Sequence, residues 1–275
     1  MATRDDAPRS LSGRPAAEIA EQAVREAGET LQNAFRGSFS VDRKGRGNFV
    51  TEVDVRIEDA VVSLLQREFP DVGVVGEESG DTHGASRYSW VVDPIDGTAN
   101  FANGIPHFST TVALLGPDGD PVLGCTYDPI RDDLFTASVG DGAFVNGERM
   151  MPGTLSTISD GVLGMDLPYG DDLIDTSFNM IRTMLPVQRV RILGSGALGL
   201  AYVATGWFDL HFHLALKPWD VAAGLIMVRE AGAEVRDAHG LRATPESGSF
   251  VSGNETLLSE FHAKIGDLNH GVPQT

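Results

Sequence analysis

The sequence has little cysteine, little lysine and no long apolar run, and each shortage excludes a class of protein. Its 275 residues include one cysteine, Cys125, so the chain cannot close an internal disulfide, and a reducing compartment is indicated. Cys125 lies in the apolar run 122–127, where we expect it to pack as a small core residue rather than to act as a nucleophile. No run approaches the length of a membrane span, and residues 1–14 lack the apolar core of a signal peptide. These features predict a cytoplasmic protein with no membrane partner.

Basic residues are also scarce relative to acidic ones. The chain has 21 lysines and arginines against 39 aspartates and glutamates, which gives a formal net charge of −18. A surface this acidic repels nucleic-acid backbones, so we expect no nucleic-acid partner. A phosphorylated substrate would meet the same repulsion unless metal ions held by carboxylates made its binding site positive.

The rest of the composition is typical of a globular enzyme, with 41% apolar and 22% charged residues. Apolar periodicity predicts helices over residues 16–35 and 54–69. Short strands separated by turn residues then follow to about residue 150, which predicts a largely antiparallel sheet, and beyond it strands and helices alternate. We therefore predict an α/β (α+β) fold in two halves. The first half is predicted to span residues 1–150 and the second residues 151–275, and we expect motifs of the first half to be completed into one site by residues of the second.

Two aspartates flank a proline directly after a predicted buried strand. Residues 90–92 are apolar, so Asp93 should emerge at the end of that strand beside the core. Pro94 fixes φ and removes a backbone donor, which predicts a bend that turns Asp96 back towards Asp93 and exposes the carbonyl of Ile95. Hard oxygen ligands at a rigid bend suit Mg²⁺. Asp-Pro-x-Asp-Gly is also good turn chemistry, so this run alone leaves both interpretations open.

Further residues favour a metal and phosphate site over a simple turn. Gly97 lets the backbone approach a ligand, and Thr98 begins a predicted helix or turn whose free N–H groups favour a phosphate. Other acids lie just after an apolar strand or at a helix start, namely Glu77 and Glu78, Asp220, and Asp54. Asp54 with Thr51 could equally form a helix cap, and Glu78 could be simply exposed.

Three runs together resemble the inositol monophosphatase family of metal-dependent, lithium-sensitive sugar phosphatases. They are Val75-Gly76-Glu77-Glu78-Ser79, Asp93-Pro94-Ile95-Asp96-Gly97-Thr98-Ala99-Asn100-Phe101 and Pro218-Trp219-Asp220-Val221-Ala222-Ala223-Gly224. The likeness covers roughly residues 16–265. It implies a phosphoric monoester hydrolase with the layered αβαβα sandwich of the sugar phosphatases, usually as a homodimer.

The resemblance also implies a role for each matching residue. Two or three Mg²⁺ ions would be held by Glu77, Asp93, the carbonyl of Ile95, Asp96 and Asp220. The catalytic residues would be Asp54, Thr98 and Glu77, with Asp54 orienting Thr98 to activate the attacking water. The substrate would contact Asp96, Gly97, Thr98, Gly194, Ser195, Ala197, His213 and Asp220.

The substrate-side residues also have other interpretations. The glycines of Gly194-Ser195-Gly196-Ala197 suit an ordinary turn as well as a substrate loop. His211 and His213 share a face of a predicted strand and could bind a metal, although packed or exposed histidines are commoner. His213 stands seven residues before Asp220, where the family usually has a glutamate that binds substrate hydroxyls. This departure weakens the case for myo-inositol phosphate.

The sequence thus predicts Mg²⁺-dependent hydrolysis of a small phosphorylated metabolite by metal-activated water, with inositol 1-phosphate as the leading candidate. Asn100-Phe101 after Gly97-Thr98-Ala99 looks more like the inositol branch of the superfamily. The alternatives are histidinol-phosphate, fructose-1,6-bisphosphate and adenosine 3′,5′-bisphosphate phosphatases and, more remotely, a non-catalytic regulatory binding protein. Lys44 could be a site lysine or a solvated loop residue, and Trp219 is expected to seat the helix that presents Asp220.

Overall fold

A computed structural model of the chain describes residues 7–43, 45 and 49–272. Its helices are α1 (Ala16–Ala34), α2 (Glu52–Glu68), α3 (Thr98–Ala102), α4 (Asp171–Met184), α5 (Gly196–Ala204), α6 (Pro218–Ala231) and α7 (Glu255–Ile265). Its strands are β1 (Val41–Arg43), β2 (Phe49–Thr51), β3 (Gly73–Gly76), β4 (Gly80–Thr82), β5 (Ser89–Asp96), β6 (Ser109–Leu115), β7 (Pro121–Asp128), β8 (Asp133–Ser138), β9 (Gly142–Val145), β10 (Glu148–Arg149), β11 (Val162–Met165), β12 (Arg189–Ile192), β13 (Leu210–His213), β14 (Glu234–Arg236) and β15 (Phe250–Gly253). Short 3₁₀ segments occupy Ile158–Asp160 and Gly266–Gly271.

The larger sheet has the order β10-β9-β8-β7-β6-β5-β3-β4. Its neighbours are antiparallel except β3 and β5, which are parallel, so the prediction of a largely antiparallel sheet is confirmed. The turn sequence Asn146-Gly147 joins β9 to β10 with positive φ at both residues, as a tight hairpin requires. The short strands β1, β2, β4, β10 and β14 were not predicted, because two or three residues carry too little pattern to detect.

The second sheet has the order β12-β11-β13-β15-β14. Strands β12, β11 and β13 are parallel to one another, and β15 and β14 are added antiparallel. Because β11 and β13 are parallel, their carboxyl ends lie at the same edge of this sheet. That edge faces the site described below.

Alternating side chains of the larger sheet serve two different cores. On β5, Trp90 and Val92 pack with helices α1 and α2, whereas Val91 between them packs with α5 and α6. A third apolar cluster joins the second sheet to α4 and α7. The layers are therefore α1 with α2, the larger sheet, α5 with α6, the second sheet, and α4 with α7. This αβαβα order confirms the predicted fold.

The central helix layer is buried on every side. All nine residues of α5 are buried, as are most of α6, which explains why neither helix shows the polar stripe of a surface helix. The close approach of α6 to the sheet depends on Gly124 of β7, where an added Cβ would lie 2.7 Å from the carbonyl oxygen of Ala223. One core thus connects residues of both halves, and the division into units 1–150 and 151–275 stays a prediction.

Strand β5 corrects one expectation about the motif it contains. The sequence predicts that this strand ends at residue 92 and that Pro94 then bends the chain. The strand instead continues to Asp96, and a bulge shifts its register against β6 between Asp93 and Asp96. A proline fits here because a bulge leaves residues outside the regular hydrogen-bond ladder.

Candidate active site

Three aspartates of the predicted metal site meet at one end of the larger sheet. Because β3 and β5 are parallel, Glu77 directly after β3 and Asp93 within β5 lie at the same edge. Asp96 ends β5, and Asp220 enters from the first turn of α6. Each of Asp93, Asp96 and Asp220 offers a carboxylate oxygen within 4.8 Å of the others. The fold therefore brings acids from distant parts of the sequence to one point.

A cleft of about 900 Å³ opens over this cluster, within the size range of small-molecule sites. Its lining includes every residue predicted to hold metal, namely Glu77, Asp93, Ile95, Asp96 and Asp220. Gly97, Thr98, Gly194 and His213 line it as well. The other predicted site residues do not line the cleft but form hydrogen bonds with residues that do. Asp54 contacts Thr98, and Ser195 and Ala197 contact Asp96.

Local hydrogen bonds shape the Asp-Pro-x-Asp run. The backbone N–H of Ile95 donates to Asp93 Oδ1 at 2.9 Å, which fixes the orientation of that carboxylate. The Ile95 carbonyl oxygen lies 2.8 Å from the hydroxyl of Thr98, so it also faces the start of α3. Gly97 adopts φ +92°, and an added Cβ there would lie 3.0 Å from the carbonyl oxygen of Gly194. Glycine is therefore required at this position for both conformation and space.

Asp54 belongs to a helix cap and to the site at once. Its Oδ2 accepts hydrogen bonds from the backbone N–H and the hydroxyl of Thr51 at 2.8 and 2.6 Å, which completes the capping box of α2. Its Oδ1 lies 3.1 Å from the hydroxyl of Thr98. The two interpretations left open by the sequence are thus compatible, because each uses a different carboxylate oxygen.

Asp96 is held by the loop that begins α5. Ser195 donates its hydroxyl to Asp96, and the backbone N–H groups of Gly196 and Ala197 donate at 3.1 Å each. Ser195 is also the N-cap of α5, whose exposed N–H groups favour a negative charge. In the structure, Ser195 and Ala197 therefore contact the aspartate, and their contact with a substrate stays a prediction.

Two residues that clamp this loop were not identified as site residues from the sequence. Asp166, directly after β11, accepts from the backbone N–H groups of Leu193 and Gly194 at 3.0 and 2.5 Å. Asn100 donates to the carbonyl oxygens of Leu193 and His107 at 2.7 and 2.8 Å. Asp166 carries the same signal as Glu77, an acid directly after an apolar strand, and could have been found by it.

Glu58 was also missed, although it lies one helical turn after Asp54 on α2. It is 1% exposed, and it accepts hydrogen bonds from the backbone N–H groups of Glu78 and Ser79 at 3.0 and 2.5 Å. These contacts fix the backbone that follows Glu77. An acid at spacing i, i+4 from Asp54 shares its helix face, which is the signal that could have identified it.

The electrostatics of the cluster indicate a cation site. Burial, and then repulsion from Glu77, Asp96 and Asp220, raise the pKa of Asp93 well above its ordinary value. Burial likewise raises the pKa of Asp96 to about 6 and that of Asp220 to about 8, and repulsion from other carboxylates adds to it. Carboxylates packed this closely are stable as anions only beside positive charge. Hard oxygen donors in this number fit a divalent metal ion.

The two histidines of β13 have different surroundings. The Nε2 atom of His211 lies 3.4 Å from Asp166 Oδ2, and both side chains are buried. His213 lines the cleft, its Nδ1 accepts the backbone N–H of Ala215 at 3.0 Å, and burial lowers its pKa to about 4. Among the described residues, neither histidine belongs to a group of three or more potential metal ligands, and metal binding by the pair stays an alternative from the sequence.

The remaining predicted features are mostly structural. Trp219 lines the cleft at the start of α6 and packs against the central core, as expected for a residue that seats Asp220. Cys125 is fully buried and burial raises the pKa of its thiol, which agrees with a core role. Lys44 lies outside the described residues.

Within the described part of the chain, no helix combines the length and apolarity that crossing a membrane requires.

Comparison with known proteins yields a consistent set of relatives. The model of the inositol monophosphatase family matches residues 13–269. An inositol-1-monophosphatase of Mesorhizobium japonicum is 38% identical over 245 residues, covering 86% of this chain and 90% of the relative. A protein named Nus factor SuhB from Pasteurella multocida is 36% identical and covers 91% of this chain and 96% of its own length.

Solved structures agree with these relatives. The extragenic suppressor protein suhB of Bartonella henselae superposes with a TM-score of 0.87 at 34% identity, covering 90% of this chain and 97% of that one. An IMPase of Thermotoga maritima gives a TM-score of 0.85 at 31% identity, covering 93% and 98%. The similarity therefore extends across both sheets and all layers of the sandwich.

Proposed function

This chain belongs to the inositol monophosphatase family and is a phosphoric monoester hydrolase, and we propose that it hydrolyses a small phosphomonoester with Mg²⁺, inositol 1-phosphate being the leading candidate. The observation that carries the proposal is the convergence of Asp93, Asp96 and Asp220 within 4.8 Å, beside Glu77 in the same cleft. A cytoplasmic location and a homodimer are further parts of the proposal.

The family is metal-dependent, and the donor set supports Mg²⁺ as the ion. Its ligands would be Glu77, Asp93, the carbonyl of Ile95, Asp96 and Asp220, for two or three ions. Oxygen donors of this kind suit Mg²⁺ better than the softer ions that prefer thiolate or imidazole. When bound, Mg²⁺ would neutralise the phosphate, lower the pKa of the attacking water and favour in-line displacement.

The protein's own proton chemistry would come from Thr98 and Asp54. With the Thr98 hydroxyl donating to Asp54 Oδ1, the threonine oxygen keeps lone pairs that can accept a proton from the attacking water. Burial raises the pKa of Asp54 to about 6, only partly offset by hydrogen bonds from Thr51 and Thr98, and a base with such a pKa suits neutral pH. The backbone at Gly97 and Thr98 would bind the phosphate.

The sizes of the rate accelerations support assigning a smaller part of catalysis to Thr98 and Asp54 and a larger part to the metal site. Phosphomonoester hydrolysis requires accelerations of up to about 10²¹, whereas general acid–base catalysis typically supplies about 10² to 10⁴. Most of the acceleration must therefore come from charge stabilisation and from positioning of the reactants. This agrees with a site built mainly from fixed carboxylates and one polar hydroxyl.

The substrate is the least constrained part of the proposal. Asn100, which resembles the inositol branch of the family, donates a hydrogen bond here to the carbonyl oxygen of Leu193 and so holds that loop. Its presence therefore has a structural reason that is independent of the leaving group. Inositol 1-phosphate is favoured by the names of several relatives, and histidinol phosphate, fructose 1,6-bisphosphate and adenosine 3′,5′-bisphosphate are the alternatives to test.

The test is phosphate release from these four substrates with Mg²⁺ and with a chelator in its place. We expect release from at least one substrate, abolished by chelation. Asp93→Asn should lower kcat/KM by more than about 100-fold, since the loss of a residue that only supports a metal ligand already costs about 10–100-fold. Asp118→Asn, at an exposed turn, is the matched control and should behave as wild type.

Two results would contradict the proposal. Near-full activity of Asp93→Asn would remove that residue from the metal site. No phosphate release from any substrate would instead favour the alternative of a non-catalytic binding protein.

A further inference from the structure

Asp166 lies in the wall of the catalytic cleft, one residue past the end of β11. Strands β11 and β13 are parallel neighbours in which Met165 pairs with Phe212, so the next residues, Asp166 and His213, lie side by side at the same edge of the sheet. Both line the cleft. The other acids among the described lining residues all belong to the predicted metal site, which leaves Asp166 as an acid without an assigned role.

The carboxylate of Asp166 is held in one orientation. Its Oδ1 accepts the backbone N–H groups of Leu193 and Gly194 at 3.0 and 2.5 Å, and its Oδ2 lies 3.4 Å from Nε2 of His211. The ring of His211 is itself fixed, because it fills the space that Gly199 leaves open, and an added Cβ at Gly199 would overlap it. The carboxylate therefore cannot turn away from the positions of these partners.

These partners leave part of Oδ2 available to a ligand. A carboxylate offers about four acceptor positions, two on each oxygen. Among the described residues, two N–H groups use those of Oδ1, and His211 uses one on Oδ2. Burial alone would raise the pKa of Asp166, but His211, His213 and the N–H of Gly194 outweigh that effect and lower it below its ordinary value. At neutral pH the cleft wall therefore presents an ionised oxygen with one acceptor position left.

One remaining acceptor position matches a hydroxyl better than an ammonium group. A hydroxyl has a single proton to donate, and donation to an ionised oxygen gives a strong hydrogen bond. An ammonium group brings three donors, and other lining residues near Asp166 in sequence or on the neighbouring strand are apolar, namely Leu167, Leu214 and Leu216. Donors that face such side chains stay unpaired, which is unfavourable.

The position of Asp166 is close enough to the metal cluster for one small substrate to reach both. Asp166 binds the N–H of Gly194, and the next residue, Ser195, donates its hydroxyl to Asp96. Neighbouring Cα atoms lie about 3.8 Å apart, so two consecutive residues connect the two carboxylates. Repulsion from Asp166 also contributes to the raised pKa of Asp96, as expected for near neighbours.

We propose that Asp166 determines specificity by accepting a hydrogen bond from a hydroxyl of the leaving group, so that the enzyme selects phosphomonoesters of polyols. This inference rests on the proposed phosphomonoesterase activity and specifies its substrate class. It agrees with inositol 1-phosphate as the leading candidate. It disfavours histidinol phosphate, whose leaving group carries an ammonium group and no further hydroxyl.

The test uses two pairs of substrates that differ only in hydroxyls. Glycerol 2-phosphate is compared with isopropyl phosphate, and inositol 1-phosphate with cyclohexyl phosphate. The measured quantity is the ratio of kcat/KM within each pair, followed from wild type to variant, because the change in this ratio cancels the intrinsic reactivity of the esters. A third pair, 2-hydroxyethyl and 2-aminoethyl phosphate, compares a hydroxyl with an ammonium group.

Asp166→Asn separates the proposed contact from support of the loop. The amide oxygen can still accept from Leu193 and Gly194, whereas an NH₂ group replaces the acceptor Oδ2. We expect the preference for the hydroxyl-bearing ester to fall by about tenfold or more, since hydrogen bonds to charged groups are strong, while kcat/KM for the ester without hydroxyls stays within about threefold. Asp118→Asn, at an exposed turn, is the matched control and should keep the wild-type ratios.

A measurement on the wild-type protein keeps the inference testable if Asp166→Asn does not fold. In 1,3-difluoropropan-2-yl phosphate, fluorine replaces both hydroxyls of glycerol 2-phosphate and leaves no proton to donate. Its kcat/KM should be about tenfold or more below that of glycerol 2-phosphate, although fluorine makes the alcohol a better leaving group.

Three results would overturn the inference while leaving the phosphatase activity in place. They are a fluorinated ester hydrolysed as efficiently as glycerol 2-phosphate, an equal loss for both members of each pair in Asp166→Asn, and a wild-type preference for 2-aminoethyl over 2-hydroxyethyl phosphate. The second result would show that Asp166 acts only through the loop that holds Asp96. Absence of phosphate release from every ester would instead overturn the proposed function, and this inference with it.

Discussion

At the scale of single residues, Thr98 stands between two oxygen atoms that can each accept its one proton. Its hydroxyl lies 2.8 Å from the carbonyl oxygen of Ile95 and 3.1 Å from Asp54 Oδ1. If a metal ion engages the Ile95 carbonyl, Asp54 becomes the better acceptor. The family resemblance implies that Asp54 orients Thr98, and the structure adds the Ile95 carbonyl as a second acceptor that a bound metal ion would engage.

Removal of the Thr98 hydroxyl tests this arrangement. Thr98→Val should lower kcat by about 10²- to 10⁴-fold, the usual contribution of general acid–base catalysis, whereas Thr98→Ser keeps the hydroxyl and should stay within about tenfold of wild type. Because Asp54 must be ionised to accept the proton, wild-type kcat should rise with pH up to about pH 6 or below, as bound cations favour its anionic form. Equal activities of the two variants in steady-state assays would contradict a proton-transfer role for Thr98.

At the scale of elements, residue pattern predicted the helices and longer strands well. Helix α1 ends one residue before its predicted end, and helix α2 begins two residues before its predicted start and ends one residue early. The pattern failed where an element continues through a residue that usually ends it. Strand β5 runs past Pro94 because pairing with β6 resumes at Asp96, and the residues of β5 alone do not reveal that pairing.

The packing of α6 on the larger sheet gives a prediction about stability. Gly124→Ala should lower the free energy of unfolding by about 1–3 kcal/mol, because its Cβ would overlap the backbone of Ala223 and force the helix away from β7. Gly170→Ala is the matched control, since an added Cβ there meets nothing within 4 Å. Urea unfolding of both variants measures the difference. A Gly124→Ala protein as stable as the control would show that α6 lies further from the sheet.

At the scale of the whole molecule, the cluster of buried acids couples folding to pH and to metal. In the folded metal-free protein, burial and mutual repulsion raise the pKa of Asp96 to about 6 and of Asp220 to about 8, above the ordinary value of 3.8. The folded state therefore binds more protons than the unfolded state between about pH 4 and pH 8. These groups favour folding at low pH, and stability falls as pH rises through this window.

Metal binding should reverse the loss of folding stability at high pH. Mg²⁺ competes with the protons, so its affinity should increase with pH, and saturation at about 100 times Kd adds about 2.7 kcal/mol to stability. We expect the gain in Tm on adding Mg²⁺ to be larger at pH 8 than at pH 5.5, measured by calorimetry. The gain should be much smaller in Asp93→Asn. A gain that does not depend on pH would contradict protonated carboxylates in the metal-free site.

The sequence by itself determined the reaction class and predicted which acids the fold would bring together, Asp93, Asp96 and Asp220 among them. Carboxylates, glycines and prolines in fixed local order carry that information, because the chemistry of Asp93 and Asp96 is encoded within four consecutive positions. Element types followed for the same reason, since periodicity is local.

Only the tertiary structure showed how that cluster is supported. Asp166, Asn100 and Glu58 act on backbone groups that lie 20 or more positions away along the chain, and such partners leave no local pattern. Long-range contacts, rather than composition, decide which oxygen or nitrogen each side chain presents to the cleft.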